Sequence, residues 1–293
     1  MKIGIFSHCT IDQIKINGQL YERAGGPACY CGLAARRLGF DVELFTKFGP
    51  DFTFTNELQK NKIKFDNALS NSPTTKFTLE INNADRNLWL ENICEEISYV
   101  NSDTDCTLIS PVFDEVSKET LEKIKKNSDM IFLDPQGFLR RVDLQKKIFL
   151  DRTEMDLSKI TAIKSDPSEV QNLTGLEGME GILSLQKCGV EHVLYTNKRD
   201  VSLLSKNRLY SIKLPGMDIT DTSGVGDIFT ATFCCTLLKE KDVLWAFSFA
   251  GGAAQAALES KQIGLDKVPS KNVIETNASY YYNIMKFTDV GSV

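Results

Sequence analysis

The stretch of this chain best able to do chemistry is Asp221-Thr222-Ser223-Gly224-Val225-Gly226-Asp227, which runs directly into the apolar helical pattern Ile228–Leu238. Two glycines at the mouth of a helix let backbone N–H groups approach an anion closely, and the helix N-terminus adds a partial positive charge. Asp227, in the first turn, then sits beside the bound anion. A free aspartate has a pKa of about 3.9, so it is ionised at neutral pH and able to take a proton. The spacing reads as an anion cradle with an adjacent base. It reads equally as a glycine-rich helix start with a capping aspartate, and spacing alone leaves both readings open.

Other phosphate-binding patterns fit less well. Gly224-x-Gly226-x-x-Phe229 lacks the third glycine of the dinucleotide fingerprint and falls late in the chain, without a following βαβ half. There is no Gly-Lys dipeptide, and hence no Walker A loop. With only His8 and His192, far apart, zinc cages and Ser-His-Asp hydrolases are poorly supplied. Formal net charge is −5 and the basic dipeptides are scattered among acidic neighbours, which argues against a nucleic-acid partner.

Eight cysteines include the near neighbours Cys29 and Cys31 and the adjacent Cys234 and Cys235, with no Cys-x-x-Cys. That placement reads as reduced core thiols of a cytoplasmic protein and not as a disulfide framework. Met1–Ile11 reads as a strand and not as a signal peptide. The longest uncharged stretch, Val243–Leu258, is shorter than the ~20 residues a membrane span needs, and it reads as a buried helix.

The elements that must position Asp227 alternate. Lys2–Cys9, Val42–Thr46, Thr107–Ser110, Met130–Leu133, Ile160–Lys164 and His192–Thr196 read as short buried strands. Pro27–Leu38, Ser117–Lys126, Gly178–Lys187, Val225–Leu238, Val243–Leu258 and Asn272–Met285 read as helices. Such alternation implies an α/β fold whose parallel sheet is covered on both faces. No linker divides the chain, so 1–293 is expected to be one domain. Two segments break the pattern. Residues 12–24 hold apolar residues around Asn17-Gly18, a hairpin signal, and residues 74–92 alternate on both sides of Asn82-Asn83-Ala84-Asp85. They are expected to form a small sheet standing off the main domain, a candidate lid.

Asp-Thr-x-Gly-x-Gly-Asp before a long helix resembles the signature of the ribokinase-like (PfkB) carbohydrate kinase family, with Val225 where the family usually has alanine. Three further elements are similar to that family's and fall in its order. Gly25-Gly26-Pro27-Ala28 opens a helix that ends in Leu38-Gly39. Asp166-Pro167-Ser168-Glu169 precedes Leu173-Thr174-Gly175, where the family has Asn-x-x-Glu. Thr10-Ile11-Asp12 follows the first strand.

The resemblance implies a three-layer α/β/α domain with a mostly parallel sheet and a β lid. It implies an ATP-dependent kinase for a hydroxyl of a small sugar or cyclitol. Gly224, Val225 and Gly226 would form the anion hole and Asp227 would be the general base. Asp12, Gly25 and Gly26 would bind the acceptor. Asp166, Thr196, Thr222, Gly224 and Gly226 would meet the nucleotide, and Glu169 with Asp166 would hold Mg²⁺ through waters. The resemblance also leaves room for a monovalent cation.

There are departures. Tyr30 stands at the family's asparagine after the Gly-Gly pair, so one hydroxyl contact is expected to be missing. The family's Thr-x-Gly-x-x-Gly nucleotide stretch is similar to Thr196–Val201, with both glycines lost. There Lys198 or Arg199 either touches phosphates or lies in a solvated turn. Asp134-Pro135-Gln136-Gly137-Phe138-Leu139-Arg140 leaves a strand at its C-terminal end, where open parallel sheets bind ligands. It either turns Gln136 or Arg140 to the acceptor or is a simple strand-exit turn, and the Gln-Gly-x-x-Arg phrase together with Tyr30 resembles the inositol-kinase-like branch.

Two other readings stand beside this one. A nucleoside kinase would want an aromatic clamp, with Tyr21, Phe77 and Trp89 as candidates. A non-catalytic ligand-binding homologue would keep the fold without the chemistry. The lid's apolar face has little to bury it except substrate or a second subunit, and a homodimer through the lids is expected.

Overall fold

The computed structural model describes residues 1–16, 18–82, 85–217 and 219–291. The chain begins with β1 (Lys2–Phe6), then a hairpin of β2 (Thr10–Ile16) and β3 (Gln19–Gly25), then α1 (Gly26–Arg37) and β4 (Asp41–Phe45). Short α2 (Thr55–Lys60) leads to a second hairpin, β5 (Thr75–Asn82) and β6 (Asp85–Asn92). Next come β7 (Cys106–Ile109), α3 (Lys118–Asn127), β8 (Ile131–Leu133) and the single turn α4 (Gln136–Leu139), followed by β9 (Arg140–Val142) and β10 (Ile148–Leu150). β11 (Ala162–Ser165), α5 (Pro167–Thr174) and α6 (Gly178–Lys187) precede the meander β12 (His192–Asn197), β13 (Asp200–Ser205) and β14 (Arg208–Lys213). Three helices, α7 (Val225–Glu240), α8 (Val243–Glu259) and α9 (Lys271–Ile284), lead to the last strand, β15 (Lys286–Asp289).

Among the described residues nine strands form one sheet, in the order β15-β14-β13-β12-β11-β8-β7-β1-β4. β4, β1, β7, β8, β11 and β12 run parallel, and β13, β14 and β15 continue the sheet antiparallel. Alternate residues of the parallel strands feed two cores. Ile3, Ile5, Leu108, Phe132 and Leu194 pack with α1, α7, α8 and α9 on one face. Phe6, Ile109, Ile131, Leu133 and Val193 pack with α3, α5 and α6 on the other. Each such side chain, fully buried, contributes ~1.5–3 kcal/mol, so the sheet is held from both sides.

Local signals explain the helix ends. The Ser117 hydroxyl accepts from Thr120 N at 3.3 Å to start α3, and the Asp242 carboxylate accepts from the first-turn amides of α8. Asp166 and Glu169 make a reciprocal capping box on α5, which stops at Gly175 in the left-handed conformation.

The expected Lys2–Cys9 strand ends at Phe6, because Ser7–Cys9 turn out of the sheet toward the small one. That second sheet has the order β3-β2-β5-β6, with β2 and β5 parallel. Its strands are the two segments that broke the α/β pattern, although Asn17 and residues 83 and 84 of the expected turns lie outside the described residues. One face carries Ile14, Phe77, Leu79 and Leu90, all buried by the rest of the chain. The other carries the ion pairs Lys15–Glu80 and Lys76–Glu22. Those four apolar side chains are covered within the chain.

The β9–β10 hairpin, which periodicity did not reveal, props the β6 edge. Leu90 N donates to Lys146 O, and Trp89 forms an isolated antiparallel bridge with Lys147. At the root of the small sheet, His8 is buried. Burial lowers its pKa more than Glu115 raises it, so the ring is neutral. Its Nε2 donates to Glu95 O at 2.8 Å, which leaves Nδ1 to accept from the Thr75 hydroxyl. This histidine anchors β5 and is no general base.

Candidate active site

The parallel strands deliver their C-terminal ends to one rim, where ligands bind in open sheets. After β1 the chain turns at Ser7–Cys9 and sends Asp12 out along β2. Across from it, an added Cβ on Gly25 would lie 2.0 Å from Asp12 Oδ2, and one on Gly26 would lie 2.6 Å from His8 O. The glycine pair therefore lets β3 and α1 close onto the Asp12 carboxylate. Gly26 also needs its φ of +77°, which disfavours a side chain. Thr10 Oγ1 donates to Asp12 Oδ1 at 2.7 Å and fixes the rotamer.

After β8, Asp134 turns the chain by accepting from Gln136 N at 3.2 Å. α4 presses so tightly on Pro111 that a Cβ at Gly137 would fall 2.4 Å from its carbonyl. That approach brings in Arg140, which donates to Gln136 Oε1 at 2.6 Å and to Val112 O at 2.9 Å, with its guanidinium 5.9 Å from the Phe77 ring centre. Val112 is itself fixed, because the buried Glu115 carboxylate accepts the amides of His8, Val112 and Phe113.

The third wall is the start of α7. Gly224 is its N-cap at φ +69°, a residue with no side chain to cap the helix, and Asp227 stands in the first turn. The glycine is required twice over, by its φ and because the Tyr30 ring would lie 2.4 Å from an added Cβ. Tyr30 is buried, and its hydroxyl has no hydrogen-bond partner among the described residues. Burial first, then the carboxylates of Asp12, Asp221 and Asp227, hold that hydroxyl protonated.

These walls enclose a cavity of about 60 Å³, lined by Asp12, Gly26, Gln136, Arg140, Gly224 and Asp227 among the expected residues. Space of that size is filled by a few ordered waters. Phe77, Leu79 and Leu88 of the small sheet form its apolar roof, and Tyr30, Val112 and Ser223 complete it. Of the three aromatics considered as a clamp, Phe77 alone lines this space. Trp89 pairs with Thr78, on the opposite face of the sheet.

The remaining expected residues stand on the far side of the anion loop. Asp166 caps α5, accepting from Glu169 N at 2.8 Å while Glu169 Oε2 accepts from Asp166 N at 2.8 Å. Between these carboxylates and the loop lies Lys164, 3.1 Å from Asp134 and 3.6 Å from Glu169, with its ammonium 3.6 Å from where a Gly226 Cβ would be. Burial alone would lower its pKa, but Asp134 and then Glu169 outweigh burial and keep it charged. Burial pushes the Glu169 carboxyl up to about 7 against the pull of Lys164. Sequence reasoning assigned no role to Lys164 or Asp134, although both sit at strand ends on this rim.

Thr222 offers its carbonyl to Val225 N at 3.4 Å, and Thr196 lies in β12 opposite Val201. The Lys198-Arg199 turn is a tight β12–β13 link in which Arg199 Nε donates to Leu214 O at 2.8 Å. A groove of about 740 Å³ opens beside it, between Arg199, Lys213 and Pro215 on one side and Gln255, Tyr280 and Tyr281 on the other.

Among the described residues no three His, Cys, Asp or Glu side chains converge as a metal cage. Asp166 and Glu169, paired across the first turn of α5, are the carboxylates that would hold a Mg²⁺ through its waters, a habit of that ion.

No curated protein matches the chain. Solved structures do. A pyrophosphate-dependent kinase of the ribokinase family, complexed with a pyrophosphate analog and myo-inositol, matches at TM-score 0.80 and 20% identity, covering 93% of this chain and 99% of its own. Ribokinase of Arabidopsis thaliana, with ribose and ATP, matches at TM-score 0.75 and 16% identity over 94% of this chain and 98% of its own. A nucleoside kinase of Methanocaldococcus jannaschii matches at TM-score 0.71 and 16% identity over 95% and 98%. The fold is ribokinase-like. Residues 7–271 match the model of the pfkB family carbohydrate kinases, and the chain belongs to that family.

Proposed function

We propose that this kinase transfers the terminal phosphoryl group of ATP to a hydroxyl of a small polyol, a cyclitol or sugar, with Asp227 as general base. The observation that carries the reading is that one cavity joins Asp227 and the Gly224 turn to a polar wall of Asp12, Gln136 and Arg140. An acceptor hydroxyl held there gives its proton to the Asp227 carboxylate while its oxygen bonds to the terminal phosphorus and the bond to the ADP oxygen breaks. The amides of Gly224, Val225 and Gly226, with the Lys164 ammonium behind Gly226, stabilise charge on the transferring group. Asp12 and Arg140 take further acceptor hydroxyls. The roof of Phe77, Leu79 and Leu88 excludes water from the reaction. Mg²⁺, held by Glu169 and Asp166 through waters, would neutralise phosphate charge on the donor.

The polar wall of Asp12, Gln136 and Arg140 favours a small polyol ring over a nucleobase. The myo-inositol in one structural neighbour points the same way. The groove beside Arg199, with Tyr280 and Lys213, suits a nucleotide. The loss of both glycines at Lys198-Arg199 supports a second reading in which the donor is pyrophosphate, as in that neighbour. Product formation from pooled cyclitols, sugars and nucleosides, with ATP and pyrophosphate in separate arms, tests both. Phosphorylation of nucleosides alone would overturn the acceptor reading.

A further inference from the structure

We propose that Lys267 supplies from within the chain the fixed monovalent positive charge beneath the phosphoryl-binding loop, so that turnover needs no K⁺ or similar ion. The inference rests on the phosphotransfer reading above and concerns how its anion loop is held.

The loop opens at Asp221, and Lys267 reaches it from the 3-10 turn Gly264–Lys267, some forty residues further on. Both side chains are 0% exposed. The ammonium lies 2.8 Å from Asp221 Oδ2 and donates to Asp221 O at 3.1 Å. The same carboxylate orders the loop on both sides: Oδ1 accepts from Ser223 N at 2.8 Å, and Oδ2 accepts from Gly264 N at 3.2 Å. Burial would raise the Asp221 pKa, but the Lys267 ammonium outweighs it and keeps the carboxylate ionised. Nζ also lies 5.7 Å from the centre of the Tyr30 ring, the ring that packs against Gly224.

A carboxylate oxygen and a main-chain carbonyl gathered around one buried positive centre make the ligand set of a weakly hydrated monovalent cation. An ammonium is close to K⁺ in size and equal in charge. A buried cation that exists only as part of an ion pair is weak evidence for stability, since apolar residues often serve as well. Its place behind the anion loop, in a low-dielectric interior, gives it a second effect. It favours the negative charge that accumulates on the transferring group.

The test compares turnover in K⁺, NH₄⁺, Na⁺ and tetramethylammonium salts, with ionic strength held at about 0.1 M so that screening is constant. The wild type is expected to turn over equally in all four. Lys267→Ala, which opens a space of the right size, is expected to lose about 10²-fold in kcat in tetramethylammonium, the scale of losing one anion-hole donor. K⁺ and NH₄⁺ should restore most of that loss and Na⁺ less, while Lys267→Met, which fills the space, should not respond. Melting temperature is read alongside, and should rise with K⁺ for Lys267→Ala only. That readout needs no turnover, so it decides the role of Lys267 even if no polyol is phosphorylated. Activation of the wild type by K⁺ would overturn the proposal. So would a Lys267→Ala protein that answers to no cation in either rate or melting.

Discussion

Gly25→Ala isolates the acceptor site from the rest of the enzyme. The backbone there, at φ −140° and ψ −168°, is extended and open to any residue, so alanine introduces no backbone strain. Its Cβ would, however, fall 2.0 Å from Asp12 Oδ2 and 2.2 Å from Asp12 Cγ. The main chain on both sides is held in the β2–β3 ladder, so the side chain must move. It then gives up both its bond from Thr10 and its hold on the acceptor. Hydrogen bonds to a charged acceptor are worth about 1.5–3 kcal/mol, so losing one such contact should raise acceptor KM about 10- to 150-fold. Initial rates with acceptor and donor varied separately measure this, and donor KM should stay within a few-fold. Asp12→Ala should reproduce the effect, and Gly25→Ala should add little to it, because its clash is with a carboxylate that is then absent. Additive effects, or a donor KM rising as steeply as the acceptor KM, would refute the reasoning.

Asp227→Asn keeps the shape of the side chain and removes its capacity for a proton. kcat should fall at least about 10²–10⁴-fold while donor binding persists, as steady-state rates and calorimetry would show. Gly137→Ala drives a methyl into the Pro111 backbone, costing about 1–3 kcal/mol, and should lower the melting temperature by about 2–12 °C while raising acceptor KM through Gln136 and Arg140. With the Glu169 carboxyl at about 7, Mg²⁺ must displace its proton at lower pH. Apparent Mg²⁺ affinity should therefore rise as pH climbs through about 7, and Glu169→Gln should flatten that dependence in a magnesium titration of the rate.

What could be read from the residues was local. Glycine pairs at helix mouths, the aspartate one turn into α7 and the alternating lid strands each carry their signal within a few positions, and each lies where that signal put it. What escaped depends on contacts across the chain. Lys267 sits in an Asp-Lys-Val stretch that looks like surface, and only the fold brings it to a buried carboxylate. Lys164 looks like one more charged residue at a strand end. Tyr30 was read as a lost hydroxyl contact, and only the fold shows that its ring packs against Gly224. The β9–β10 hairpin and β15, of three or four residues a strand, are too short to show a period.

The pairing of β2 with β5 joins strands some 65 residues apart. A contact that distant closes only after the loop between them has been ordered, which delays it relative to local structure. That loop contains α1, β4 and α2, all built on β1, so the main sheet must stand before the small one has an edge to grow from. The acceptor cavity is thus completed late in folding, and its roof should be among the first segments to open in the native protein. Hydrogen exchange should therefore be faster in β5 and β6 than in β7 or β8, and a bound polyol should slow it there most of all.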